Sequence, residues 1–281
     1  MIDPLRDISN PQSAPLAESP GAALVAMGKA LVAIKDSNPA LHAFTQTMEM
    51  SRRLGFPVAA VTVAPAYEGD LGLSTAGSSR AAGNDPSRVV LDEALDIAMS
   101  EGLGLETFRA TGLAHLAVLQ MLQGSGFGLV VLGRDRRWTS PLNTAAHVVR
   151  QSPVDVLVIP EERPMRFRHI VCGAIGLPVG PVLDTAAHLA SLDNGRVTLL
   201  TLANESGIQE IGVSGSTPVK VQTVNSPRAL NRELREAARQ LSTDLIVFAE
   251  APARGIWNAL GLPWAVRLLM RSHCALWVVK I

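Results

Sequence analysis

Short, nearly unbroken apolar runs alternate along the chain with longer segments in which apolar residues recur at helical spacing. The run KALVAI at 29–34 has almost no polar alternation, which is typical of a strand buried on both faces. After it, Asn38 and Pro39 predict a helix N-cap and a first-turn proline, and Gly55 closes the helical pattern. The chain therefore begins its ordered part with a buried strand and an amphipathic helix.

The same alternation continues to residue 160. Strands are predicted at 57–65, about 106–110, 128–133 and 154–160, and helices at about 86–101, 112–123 and 141–151. Strands that alternate with helices of this length imply right-handed crossovers and a parallel sheet.

The second part of the chain repeats this plan. RHIVCG at 168 matches KALVAI at 29, and VTLLTLA at 197 matches VAAVTVA at 58, both at an offset of 139 residues. RSHCALWVVK at 271 matches RQSPVDVLVI at 150 at an offset of 121. The offset shrinks because the segment between Ala203 and the predicted strand VKVQTV leaves room only for a loop. We therefore predict a duplication whose second copy lacks one helix.

This pattern defines the domain organisation. Residues 1–26 contain several prolines and lack the basic flank and apolar run of a secretory signal, so we expect a flexible leader. The first domain is predicted at 27–160 and the second at 167–281, with a short linker at 161–166. Each domain has a size common for an independent core.

Composition narrows the classes of function. The 25 Lys and Arg residues balance the 25 Asp and Glu residues, so no overall field recruits nucleic acid or an anionic membrane. The longest apolar stretches have the length of strands, which predicts no membrane insertion. Cys172 and Cys274 lie far apart without metal-ligand spacing and are interpreted as buried thiols. We expect a cytoplasmic protein.

No catalytic apparatus is visible in the sequence. Six histidines are scattered without metal-ligand spacing, which predicts no metal site. Ser37 and Ser140 precede predicted helices and are interpreted as caps rather than nucleophiles. The chain is therefore predicted not to be an enzyme.

Three stretches carry a family resemblance: VAIKDSNPALHAFTQTMEMSRRLGFPVAAVTV, GLVVLGRD and RQSPVDVLVIP. In order and spacing they resemble the universal stress protein family, over about 29–160 and more weakly over 168–281. The resemblance implies an α/β fold of two tandem open parallel five-stranded sheets with helices on both faces, of the adenine nucleotide alpha hydrolase-like type, the second copy shortened. It also implies ligand binding at the carboxyl ends of the strands, where nucleotide-binding members hold ATP.

In those members a loop G-x2-G-x9-G-[ST] after the fourth strand surrounds the phosphates with backbone amides, and the next helix adds its positive end. Gly133 stands at the first glycine of this motif, but Arg136 stands at the second. Leu142 and Asn143 stand at the closing pair, and the loop is shorter than the family's. The first-half site is therefore interpreted as degenerate.

Other positions of the nucleotide signature are also altered. Lys35 stands at the family's aspartate after the first strand, with Asp36 one place along, and Val63 matches an adenine-side residue. The arginines of 134–137 together with Lys35 form either a pocket for a mononucleotide or smaller anion, or a solvated basic turn. The candidate ligand residues are Lys35, Asp36, Val63, Gly133, Arg134, Arg136, Asn143 and Thr144.

The second half keeps less of the signature. Ala249 stands at the first glycine, Pro263 and Trp264 stand near the closing pair, and Ala174 stands at the aspartate position. Proline removes a backbone donor, and an indole would crowd a phosphate. We predict that this half does not bind ATP in the family's manner.

Three functions remain open from the sequence. The first is a regulatory or binding protein of the universal stress type, with a degenerate nucleotide site in the first domain. The second is a switch that binds ATP or AMP through Lys35 and the loop arginines. The third is a scaffold that binds a protein partner, or a second copy of itself, without a small molecule.

The final strands of the two halves, VDVLVI and ALWVVK, are apolar enough to be hidden from solvent. In relatives such strands pair across a two-fold axis, so we expect an intrachain pseudo-dimer. Packing of each strand within its own half is the alternative.

Overall fold

The computed structural model describes residues 28–64, 86–124, 126–135, 143–161, 163–175, 177–202, 217–240, 242–250, 263–270 and 272–281. The strands in these ranges are β1 (Lys29–Ile34), β2 (Val58–Ala64), β3 (Leu105–Thr111), β4 (Phe127–Arg134), β5 (Asp155–Pro160), β6 (His169–Ile175), β7 (Arg196–Leu202), β8 (Val219–Val224), β9 (Leu245–Glu250) and β10 (Ala275–Val278). The helices are α1 (Asn38–Leu54), α2 (Pro86–Ser100), α3 (Ala114–Leu122), α4 (Thr144–Gln151), α5 (Gly180–Ser191), α6 (Pro227–Arg239) and α7 (Trp264–Leu269).

All ten strands belong to one sheet, in the order β3-β2-β1-β4-β5-β10-β9-β6-β7-β8. Within each half the neighbouring strands are parallel, and the second half repeats the order of the first in reverse across the centre. The predicted α/β fold with two halves is confirmed. The two five-stranded sheets expected from the resemblance are joined into a single sheet.

The centre of the sheet is an antiparallel pair, β5 with β10. Leu157 lies opposite Trp277, and Val156 and Val158 lie opposite Val278 and Leu276. The pairs Val156–Val278 and Val158–Leu276 are made of equivalent residues of the two halves, so a two-fold rotation converts one pair into the other. The pseudo-two-fold axis passes through the Leu157–Trp277 pair between them. The expected pairing of the final strands is present, and each of these strands also pairs with a neighbour of its own half.

The register corrects two of the sequence offsets by one residue. Ala30 and Ile170 pair with Val58 and Val197, so β1 and β6 are related by an offset of 140 rather than 139. In the same way β5 and β10 are related by 120 rather than 121, since Asp155 and Ala275 pair with equivalent leucines of β4 and β9. A slip of one residue exchanges the two faces of a strand, and strands that are apolar on both faces do not reveal it.

Helices cover both faces of the sheet. α1, α2 and α5 pack on one core cluster, whereas α3, α4, α6 and α7 pack on the cluster of the opposite face. Residues 203–216, where the second copy is predicted to lack a helix, lie outside the described residues, so that loss stays a prediction. No helix in the described ranges is long and apolar enough to cross a membrane.

The first turn of α1 differs from the prediction. The N-cap residue is Ser37, not Asn38, because the amide of Leu41 donates to the carbonyl of Ser37 at 3.1 Å. The Ser37 side chain accepts no capping hydrogen bond, so it is a cap by backbone position alone. Gly55 ends the helix with φ of 78°, as expected of a glycine at this position.

Cations that cross between the halves end on helix C-termini. Arg53 donates to the carbonyl oxygen of Leu192 at 2.9 Å, at the end of α5. Lys280 donates to the carbonyl oxygen of Val149 at 2.6 Å, in the last turn of α4. The last carbonyls of a helix lack intrahelical donors and carry its partial negative charge. These contacts therefore stabilise the helices and hold the halves together.

The antiparallel β5–β10 pair forms the seam between the two halves. Asp155 of β5 stabilises this seam from the first half alone. Its Oδ2 accepts a hydrogen bond from Trp277 Nε1 at 2.9 Å, and its Oδ1 accepts one from the Lys280 amide at 2.8 Å. Burial raises the pKa of Asp155, and these two hydrogen bonds work in the opposite direction. The equivalent position of the second half is Ala275, so the seam is chemically asymmetric.

We expect Asp155→Asn to lower the free energy of unfolding by about 1 to 2 kcal/mol, because the new amide group would face a donor at one of the two contacts. Urea unfolding measures this change. Asp92→Asn is the control, since the Asp92 side chain is 64% exposed and its ion pair with Arg88 lies on the surface. Equal effects of the two substitutions would show that Asp155 adds nothing specific to the seam.

Candidate functional site

The candidate ligand residues of the first half gather at one edge of the sheet. β1, β2 and β4 are parallel, so their carboxyl ends lie at the same edge. Lys35 and Asp36 follow β1, Val63 is near the end of β2, and Gly133 is near the end of β4. Lys35 and Asp36 are exposed, whereas Val63 is partly buried against the core. This is the edge at which ligands of open parallel sheets bind.

Gly133 has a structural reason to be glycine. A Cβ atom at this position would lie 2.1 Å from the carbonyl oxygen of Pro39 and 2.8 Å from the amide nitrogen of Ala40. Both atoms are backbone at the start of α1, so a side chain has nowhere to go. The glycine is therefore explained by close packing of β4 against α1, and its presence does not by itself indicate a phosphate site.

Arg134 does not fit the predicted anion pocket. Its guanidinium donates to the carbonyl oxygens of Leu269 and, at 2.5 Å, Ser272, and the residue is only 8% exposed. Burial lowers the pKa of Arg134, because the charged form is removed from water. Both arms of its fork therefore end on backbone carbonyls of the second half, one in the last residue of α7 and one shortly after it; this contact speaks against a ligand role for Arg134, which stays a prediction.

Each half contributes one cation that donates to a helix end of the other half. Arg134 and Lys280 each reach the end of the last helix of the opposite half, Leu269 and Val149. The register places Arg134 opposite Pro160, and Pro160 is the counterpart of Lys280 at the offset of 120. Arg134 thus acts on the seam and belongs to the interface between the halves.

Asn143, at the closing pair of the loop, is used by its own helix. It is the N-cap of α4, and its side chain accepts a hydrogen bond from the Ala146 amide at 3.0 Å. Thr144 is the first residue of that helix and is partly buried. One of the amides that would otherwise face an anion at this helix N-terminus is therefore already satisfied. Arg136 and Leu142 lie outside the described residues.

Comparisons with known proteins bear on this architecture. No protein-family model matches the sequence, and no curated protein matches it either. Among solved structures, a universal stress protein from Archaeoglobus fulgidus matches with a TM-score of 0.67 at 14% identity, over 90% of this chain and 96% of that one. The chain has the fold of a universal stress protein. A Pseudomonas aeruginosa protein of unknown function matches with a TM-score of 0.65 at 16% identity, over 92% of this chain and 94% of that one.

Shorter solved structures match about one half of the chain. One is a universal stress protein family protein from Arabidopsis thaliana with AMP bound, with a TM-score of 0.37 at 20% identity over 48% of this chain and 92% of that one. The bound AMP is a property of that protein.

In the second half of this universal stress protein fold, one residue correspondence predicted from the sequence is shifted by one position. Ala174 lies within β6, paired with Ala249, so the residue that corresponds to Lys35 is Ile175. Neither is a carboxylate. Ala249 is fully buried at the position equivalent to Gly133, while Pro263 is the N-cap residue of α7 and Trp264 is its first residue.

One pair of side chains near the first-half site was not singled out from the sequence. The imidazole rings of His115 and His147 stack with centroids 4.4 Å apart and planes at 22°. They belong to α3 and α4, whose N-termini both follow carboxyl ends of strands. No sequence spacing links the two residues, so only the packing of α3 against α4 reveals the pair. In the described part of the chain, no three metal-binding side chains come together.

Proposed function

We propose that the chain is a non-catalytic regulatory binding protein of the universal stress type. Its first half accepts a mononucleotide or a smaller anion at the carboxyl edge of β1, β2 and β4, and it does not grip the tail of ATP. The second half serves structure and partner contacts. Buried, unpaired Cys172 and Cys274 support a cytoplasmic location, because thiols persist in a reducing compartment.

The observation that carries this proposal is the use made of two candidate ligand residues at the end of β4 and after the loop that follows it, Arg134 and Asn143. Asn143 caps its own helix, and Arg134 ends on carbonyls of the second half. Neither group faces outward to receive the β- and γ-phosphates. Lys35 is exposed at the same edge, and its charge supports binding of a single phosphate.

Calorimetric titration with ATP, ADP and AMP tests the proposal. We expect ATP to bind no more than about threefold more tightly than AMP, because each further charge-assisted hydrogen bond would add roughly tenfold or more. Lys35→Met is expected to weaken AMP binding. Lys29→Met is the matched control, since Lys29 lies at the opposite end of β1 and pairs with Glu106 at 2.6 Å.

Two results would overturn the proposal in different ways. ATP binding at least about tenfold tighter than AMP would favour a nucleotide switch that uses Lys35 and Arg136. The absence of heat with all three nucleotides would favour the interaction scaffold. ATP turnover above a boiled control would contradict the non-catalytic assignment.

A further inference from the structure

A polar cavity lies in the second half, far from the carboxyl edge of that half. It has a volume of about 470 Å³ and is bounded by the amino ends of β6, β7 and β8 and by the C-terminal part of α6. The strands contribute Arg196, Thr198 and Lys220 to its lining, and the helix contributes Glu233 and Glu236. Its size falls within the range of small-molecule sites.

The first half fills the equivalent space with aromatic rings. Phe108 and Phe127 meet edge to face there, with ring centroids 6.4 Å apart. The strand registers place Gln222, which lines the cavity, at the position of Phe108. A large aromatic side chain of the first copy is thus replaced by a polar one that lines the cavity of the second.

The charges around the cavity are separated by sign. Both cations, Arg196 and Lys220, come from neighbouring strands, while both carboxylates come from one face of α6 at a spacing of three residues. Within the described residues, no ion pair joins either cation to Glu233 or Glu236; the ion pair of Glu233 is with Arg232, at 3.4 Å. Matched but unconnected charges across a cavity suit a ligand that carries both signs.

His169 orders one wall of the cavity. Its Nδ1 lies 3.3 Å from the Ser242 carbonyl oxygen, which only accepts, so this nitrogen carries the proton. Its Nε2 then accepts from the Thr198 hydroxyl at 3.2 Å. Burial, and to a lesser degree the charge of Arg196, lowers the pKa of His169, which keeps the ring neutral at pH 7. Thr198 is thereby oriented without an additional charge.

We propose that this cavity binds a zwitterion of amino-acid or dipeptide size. The ligand carboxylate lies against Arg196 and Lys220, and its ammonium group lies against Glu233 and Glu236. Gln222 supplies amide hydrogen bonds to the part between the charged ends. The site is independent of the first-half ligand site, so either one can fail without the other.

Calorimetry on the full chain tests this proposal with glycine, L-glutamine and glycylglycine as zwitterionic probes. We expect binding of at least one probe, and a loss of about tenfold or more when its amino group is acetylated or its carboxylate is converted to an amide. Gln222→Phe introduces the residue type of the first half, and it is expected to abolish binding while the thermal midpoint is kept or raised. Lys220→Met is expected to weaken binding by about tenfold.

Arg228→Met is the matched control for Lys220→Met, because Arg228 is an exposed cation of α6 outside the cavity. Its substitution is expected to leave probe binding unchanged. The proposal fails if none of the three zwitterions binds at millimolar concentration. It also fails if the blocked forms bind as well as the parent probe, or if the folded Gln222→Phe protein binds normally.

Discussion

Replacing Gly133 with alanine is expected to lower the free energy of unfolding by about 3 kcal/mol, near the upper end for overpacking substitutions. The new Cβ would lie 2.1 Å from the carbonyl oxygen of Pro39 and 2.5 Å from its carbonyl carbon. Because both atoms are backbone at the start of α1, relief requires movement of the helix or the strand. Urea unfolding of the ligand-free protein measures the effect.

Gly104→Ala is the matched control. A Cβ at Gly104 meets nothing within 4 Å, so its unfolding free energy is expected to change by no more than about 0.5 kcal/mol. The comparison also separates packing from ligand binding. If Gly133→Ala retained full stability and lost only AMP binding, the glycine would belong to a phosphate site and the packing explanation would be wrong.

Replacing Arg134 with methionine is expected to destabilise the protein by about 2 kcal/mol, because two buried carbonyl oxygens at the end of α7 would lose their donor. Burial removes the guanidinium charge from water, which lowers the pKa of Arg134 and costs free energy, and this cost limits the net effect. Denaturant unfolding gives the change, and a second transition at lower denaturant concentration would report independent opening of the second half.

Two further variants separate the guanidinium fork from its charge. Arg134→Lys keeps the charge, but an ammonium group cannot donate to both carbonyls with the geometry of the guanidinium. An intermediate loss of unfolding free energy is therefore expected. Arg228→Met removes an exposed cation and is expected to change stability by no more than about 0.5 kcal/mol. If Arg134→Met left stability unchanged and weakened AMP binding, Arg134 would return to the ligand site.

The architecture was largely accessible from the sequence because its strands and helices carry strong local signals. KALVAI predicts β1 at its observed bounds, and Gly55 ends α1 as expected. The apolar character of VDVLVI and ALWVVK also pointed to a hidden central pair, which the β5–β10 register confirms. Such features depend on neighbouring residues or on total burial, and both are visible in a one-dimensional pattern.

The candidate site was less accessible, because its contacts join residues far apart in the sequence. Arg134 follows the last apolar residues of β4, as a phosphate-binding arginine would, yet its partner Leu269 is 135 residues away. The reason for Gly133 is likewise found in the backbone of another element. Faces of the doubly buried strands were also not readable, which is why two offsets were wrong by one residue.

The stretch from Pro160 to His169 connects strands of the two halves, and it is anchored where the Met165 amide donates to Gln46 Oε1 at 2.5 Å. Separate subunits joined by such a seam dissociate on dilution, whereas a short tether keeps its partners at a local concentration of about millimolar. In a homodimer every substitution is also present twice, once in each subunit. Here a difference such as alanine at 275, the position equivalent to Asp155, occurs once, so each copy was able to specialise without its counterpart.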